Sequence, residues 1–247
     1  MTFALACVYL GARGLLPISN EQKLKVEEAL SGLLVLNDFE EKYSIVLDNY
    51  LAFERAGLEI SLQQSVRWNL TDTEFRDLKR PLNRHLMNLL SSCRAYLDGG
   101  RTHLKKVIDD GSAMFAAQTS DQYDSQFSYR FMEGLRNYVQ HQDLGVHKLT
   151  IASKWIDDRT GLHIATKVAV DVERLIADHQ IKRTILTEAE DDPKNSDLML
   201  LVSGYVESLA KIHKNMREAL IPKVNSWEHM MSDLESKFEA QFPDENR

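Results

Sequence analysis

Helical spacing of apolar residues runs through most of this chain and gives way to strict alternation in one stretch only. That pattern confines the fold to a helical bundle carrying a small β insertion. Phe39, Tyr43, Val46, Leu47, Tyr50, Leu51 and Phe53 recur at helical spacing behind an N-cap at Asn37 or Asp38. A long amphipathic helix is therefore expected to about Ala56, with Gly57 ending or bending it. Thr71 and Glu74 match a capping box, and Leu78, Leu82, Leu86, Leu89, Leu90 and Tyr96 carry a second helix to Gly99-Gly100. Pro81 should kink that helix or mark its true start. After an acidic, small-residue segment at 109–120, a third helix is expected over about 122–141. A fourth runs from Asn195 or Ser196 to about Leu220, and a shorter one over 226–238 follows Pro222.

The period changes between the third and fourth helices. Leu149, Ile151, Ser153 and Trp155 alternate with polar or small residues, as do Ile164, Thr166, Val168, Val170 and Val172. The turn Asp157-Asp158-Arg159-Thr160-Gly161 separates the two runs, so they read as a β-hairpin, and the acidic stretch 188–192 reads as a loop. The expected fold is mainly α: a four-helix up-and-down bundle core with an inserted β-hairpin and an extra C-terminal helix. Its divisions are an N-terminal extension (1–36), the first three core helices (37–146), the hairpin (147–173), the fourth core helix region (174–221), and the C-terminal helix and tail (222–247).

Charge distribution says more than total charge. The chain carries a net −7, which argues against a general nucleic-acid coat. Residues 76–106, however, hold 8 basic against 2 acidic side chains, a local +6, and residues 130–183 hold 9 against 7. The flanking segments are acidic, at −5 over 1–75, −4 over 107–129 and −6 over 184–247. A local phosphate-binding groove on an acidic protein has this signature; a solvated helix face is the plainer reading. Cys7 and Cys93 form neither a metal-ligand nor a redox spacing, which fits a reducing cytoplasm. Residues 2–12 are apolar without a basic leader and read as a buried strand or short helix; no apolar run reaches membrane-spanning length.

The third helix ends in Arg136-Asn137-Tyr138-Val139-Gln140-His141. Two other Arg-x4-His matches occur, Arg80 to His85 and Arg174 to His179, so that spacing alone carries little information. With 11 Asn in the chain, requiring Asn directly after Arg lowers the chance expectation to roughly 0.02, and only the Arg136 copy passes. Histidine can exchange a proton near neutral pH, so His141 suits removal of a 2′-hydroxyl proton or protonation of a leaving 5′ oxygen. Arg136 offers a permanently charged planar fork to phosphate oxygens. Asn137 either orients the imidazole or binds phosphate through its amide. Tyr138 lies on an apolar stripe with Tyr123, Phe127, Phe131 and Leu135 and reads as core.

The six residues resemble the Arg-Asn-x-x-x-His signature of the HEPN superfamily (higher eukaryotes and prokaryotes nucleotide-binding). The resemblance implies a small all-α domain acting as a metal-independent endoribonuclease that needs no cofactor. It implies Arg136, Asn137 and His141 as the site, a homodimer formed through the motif helix, and a toxin–antitoxin or antiphage-defence setting with an antitoxin protein as a partner. RNA is the expected ligand, with Arg94, Lys105 and Lys106 as backbone contacts; no membrane association is expected. One regular helix cannot aim Arg136 and His141 at the same atom, so either the helix deforms or a second copy completes the site. The competing reading is structural: Arg136 pairs with Glu133 at i−3, and Asn137 and His141 cap carbonyls or face water. On that reading the chain is a non-catalytic RNA- or partner-binding module, or a scaffold. Two further clusters are weaker: His141, Asp143 and His147 bracket a metal-ligand spacing, and Lys211, His213, Lys214 and Arg217 suit the end of the fourth helix.

Overall fold

The computed structural model describes residues 3–6, 14–66, 71–156 and 160–243, apart from the side chains of Asp72, Leu162 and His163. Cys7, most of the 2–12 segment, Asp157, Asp158 and Arg159 of the expected turn, and the last residues of the charged tail lie outside that set. The fold is mainly α with an inserted hairpin.

The element that organises it is α1, Asn20–Val66, whose 47 residues make a rod of about 70 Å. It starts earlier than Asn37 or Asp38, because Ser19 and Gln22 form a capping box. Ser19 Oγ accepts from the Gln22 N–H at 3.1 Å, and Gln22 Oε1 accepts from the Ser19 N–H at 2.8 Å. Asn37 and Asp38 are merely its exposed face. Gly32, Phe39, Val46, Phe53 and Ile60, seven residues apart, are all buried, and Ala29, Leu36, Tyr43, Tyr50 and Gly57 repeat the same interval alongside. Gly57 neither ends nor interrupts this seam.

Helix α2, Asp72–Leu104, packs along α1 and opens with the expected Thr71–Glu74 box; Pro81 lies within it. It runs through Gly99-Gly100 because the missing side chain at Gly100 leaves room for Phe115, whose ring would stand 2.5 Å from a Cβ there. The acidic segment that follows is α3, Gly111–Ser125, and the expected motif helix is shortened to α4, Phe127–His141. Gln126 separates them in an extended conformation, and Arg130 caps the α3 carbonyls of Tyr123 and Asp124 while pairing with Glu188.

Strands β1 (Phe3–Leu5) and β2 (Leu16–Ile18) pair antiparallel, as do β3 (Lys148–Trp155) and β4 (Leu162–Ala169). The second pair is the expected hairpin; Leu149 and Val168 enter the core, and Thr166 meets Ser61 of α1 at 2.7 Å. Two short helices follow, α5 (Val172–Asp178) and α6 (Arg183–Asp191). The 188–192 stretch is thus largely helical and not a loop, since Ile185, Leu186 and Ala189 bury one face of α6. Helix α7, Leu198–Gln241, is capped by the Asp197 carboxylate and passes through Pro222 without ending. A separate C-terminal helix is therefore absent from the described residues: Leu220, Trp227, Leu234 and Phe238 keep one continuous buried face on α7. Among the described residues no helix is long and apolar enough to cross a membrane.

Candidate functional site

Helix α4 owes its position to Tyr129, Phe131, Met132, Leu135 and Tyr138, which bury one side of it against α7 and α2. The motif's polar residues fall on what remains. His141, in the last turn, is exposed, and its ring has no hydrogen-bond partner among the described residues; Asn137, one turn earlier on the same side, is half-buried. Arg136 projects about 140° away from His141 around the helix axis. Its side chain is only 13% exposed, with Nε 4.0 Å from Glu133 Oε2 and Nη1 donating to Gln140 Oε1 at 3.1 Å. The i−3 pairing anticipated as the structural alternative is present. Glu133 also accepts from the Tyr205 hydroxyl at 2.5 Å, and Arg136 Nε is buried without a hydrogen-bond partner. Within one chain, then, Asn137 and His141 come together and Arg136 does not join them.

Beyond His141 the backbone is held on three sides. Val146 N–H donates to the buried Asn83 Oδ1 at 2.9 Å, and Asn83 Nδ2 donates to the Lys79 carbonyl at 3.1 Å. Lys79 Nζ reaches the His147 carbonyl at 2.8 Å, and Asp171 N–H donates to His147 Nδ1 at 2.9 Å. Because Nδ1 accepts, the proton of the neutral ring sits on Nε2, which donates to the Tyr138 hydroxyl at 3.4 Å. Burial, followed by the nearby Arg174, lowers the His147 pKa and keeps the ring neutral. With both nitrogens engaged, His147 is not free to join Asp143 and His141 as a metal ligand. Among the described residues no group of three His, Cys, Asp or Glu side chains is arranged to hold an ion.

This segment forms one wall of a cleft of about 590 Å³ whose other wall is the first half of α2. Arg76, Lys79, Arg80 and Arg84 line it at intervals that place them on a single helical face, and Arg174 from α5 closes it. Asp143, which pairs with Arg174, is the one carboxylate lining it among the described residues. Arg80 is also shared with Asp77 at 2.7 Å, and Arg84 with the His85 ring at 3.3 Å. Desolvation, with Arg84 second, lowers the His85 pKa. Cations arranged along this face can hold phosphate oxygens through charge-assisted hydrogen bonds.

The residues expected to contact RNA lie elsewhere. Arg94 is tied to Asp98 at 2.6 Å and borders a separate cleft of about 500 Å³ with Arg101, Tyr129 and Glu133. Lys105 and Lys106 are exposed in the turn after α2, roughly 30 Å along the helix from Leu86. Of the basic excess over 76–106, the N-terminal half, Arg76 to Arg84, lines the cleft between α2 and residues 143–147. The signal was the spacing Arg76, Lys79, Arg80, Arg84; the contribution of Arg174 has no local signature. The cluster on α7 also changes meaning. Since α7 continues to Gln241, Lys211, Lys214 and Arg217 sit in mid-helix and their explanation by the helix dipole fails. They pair with Glu207, Glu218 and Glu40 instead.

No family model, curated protein or solved structure matches the chain.

Proposed function

We propose that this chain is a HEPN-like, metal-independent endoribonuclease in which His141 is the general acid/base and the cleft between α2 and residues 143–147 binds the RNA. The observation that carries this reading is the position of His141: an exposed imidazole, without a hydrogen-bond partner among the described residues, two residues before Asp143, which lines the cationic cleft. His141 takes the proton of a ribose 2′-hydroxyl, and the 2′ oxygen attacks the adjacent phosphorus. The bond from phosphorus to the 5′ oxygen breaks, and that oxygen leaves with a proton returned by the imidazolium. The products carry a 2′,3′-cyclic phosphate and a 5′-hydroxyl, and DNA, without the 2′-hydroxyl, is not cleaved. Asn137 steadies the ring or binds phosphate. Arg136 completes the charge stabilisation only beside the His141 of a second copy, the arrangement that the family resemblance implies, in a toxin or antiphage-defence setting with a neutralising antitoxin.

One observation favours a second reading, an RNA-binding module that does not cleave. Arg136 is turned onto Glu133 and Gln140, which leaves it a structural residue of α4. Incubating the purified protein with RNA in EDTA separates the two. Cleavage that yields cyclic phosphate ends and falls at least about 100-fold in His141→Ala, with folding intact, supports the nuclease. Salt-sensitive binding with no cleavage, indifferent to His141→Ala, supports the module.

A further inference from the structure

We infer that the cationic face of α2, with Arg174 opposite it, is a track for the backbone of single-stranded RNA, entering the cleft in single file. This rests on the reading that this cleft binds RNA, and adds in what form the RNA lies there and through which charges it is held. Arg76, Lys79, Arg80 and Arg84 occupy one side of α2 from position 76 to 84, about 12 Å of helix. At about 3.4 Å per phosphate along a stacked strand, that length meets three or four successive phosphates. Arg174 comes from α5, on the far side of the cleft, so phosphate oxygens are met from two walls. Cations on two facing walls suit one strand lying between them better than a duplex, whose second strand would stand away from both.

The charges are disposed to change partners. Arg80 is 80% exposed, and its carboxylate partner Asp77 lies outside the cleft, while Arg174 is shared with Asp143 at the rim. Exposed pairs of this kind hold each other weakly, so a phosphate can take over the guanidinium with little loss. Lys79, by contrast, is committed to the His147 carbonyl, which fixes the wall itself. The exposed amide of Asn88 adds a neutral donor along the same face.

The test uses the full chain carrying His141→Ala, to suppress cleavage, and a fluorescent oligouridylate that cannot pair. Binding should weaken with salt at a slope of roughly −2 to −3 in log K against log salt, as three or four single-strand phosphates require. Arg80→Glu with Arg84→Glu should lower affinity at least about tenfold and flatten the slope by about 1.4, with thermal midpoint and helical signal unchanged. Arg174→Ala should weaken binding by a smaller factor. Parental affinity in the α2 double variant overturns the track, and so does equally tight binding of a hairpin duplex or of polyglutamate. The two proposals fail separately: cleavage by a wild-type protein whose α2 double variant still binds normally removes the track and leaves the nuclease. Absence of cleavage together with loss of binding in the double variant does the reverse.

Discussion

Two basic clusters on two helices look alike in the sequence and differ in what their charges are for. On α7, Lys211, Lys214 and Arg217 each have a carboxylate, and the histidine among them is buried at 5% side-chain exposure. His213 stacks on Tyr43 at 3.9 Å between ring centres and on Phe39 at 5.0 Å. Its Nδ1 accepts from the Tyr96 hydroxyl and its Nε2 donates to Glu40, both at 3.3 Å. On α2, Arg76, Lys79, Arg80 and Arg84 line an open cleft. Lysine and arginine counts, three against four, barely separate the two clusters; the difference lies in their setting, since α7 itself supplies Glu207 and Glu218 and α1 supplies Glu40, whereas the α2 cations line a cleft. Through His213 and Arg217 the α7 cluster is part of how α1, α2 and α7 hold together, and the α2 cluster lines the cleft proposed to take the RNA.

The sharpest way to break this contrast is His213→Ala. Removing a ring packed among Phe39, Tyr43 and Tyr96 leaves a cavity and orphans the Tyr96 hydroxyl, so a loss of about 3 kcal/mol is expected by denaturant unfolding. RNA affinity of the folded fraction should not change. A stable variant, or one that stays folded and loses RNA, would mean that the α7 cluster is not structural.

Asn83→Ala probes the opposite side, the scaffold beneath the α2 cleft. It leaves the Val146 N–H buried without an acceptor, at a cost of about 2 kcal/mol. Because that bond fixes the wall of the cleft, single-strand binding should weaken as well. Asn88→Ala, in the same cleft without a scaffold bond of this kind, should leave stability within about 0.5 kcal/mol. Equal stability losses in the two variants would remove the scaffold role assigned to Asn83.

How much of this was legible depended on whether a signal was local. The Thr71–Glu74 box and the alternation of Leu149 to Trp155 were readable because each is decided within a few residues. Ser19 and Gln22 were just as local, yet the stronger run after Asn37 drew the helix start to the wrong place. Helix ends yielded to packing: Phe115 against Gly100 and Trp227 beyond Pro222 keep chains helical where glycine and proline would stop them. At the site, the Arg136–Glu133 pair follows from i−3 spacing, and the α2 stripe from i, i+3, i+4 spacing. The meeting of Arg174 and residues 143–147 with that stripe requires the finished fold, because 90 residues separate Arg84 from Arg174 in the sequence.

pH gives a smaller effect that also divides the molecule. His213 and His147 both have lowered pKa values, each chiefly through burial, so both rings are neutral in the folded chain. The unfolded chain protonates its histidines first as pH falls below about 6.5, so stability is full above that value and declines beneath it, by at most about 1.4 kcal/mol per pH unit per histidine. The decline ends at the folded-state pKa values. Replacing His213 or His147 with Gln should each remove part of the slope in a urea series from pH 7.5 to 5. A slope unchanged in both variants would assign it to other groups.

The smallest expected effect is the strictest test of the contrast. Lys211→Ala and Lys214→Ala remove cations from exposed i,i+4 pairs with Glu207 at 3.6 Å and Glu218 at 3.8 Å. Such pairs contribute a few tenths of a kcal/mol, so the double variant should unfold within about 0.5 kcal/mol of the parent. It should also bind oligouridylate within about twofold at 150 mM salt, where the Debye length of about 8 Å screens charges outside the cleft. The α2 reversal, at least tenfold under the same conditions, is the reference. If losing two α7 lysines weakens RNA binding as much as altering Arg80 and Arg84, the ligand is drawn by the field of the whole basic surface, and the α7 and α2 clusters would no longer be distinguishable in function.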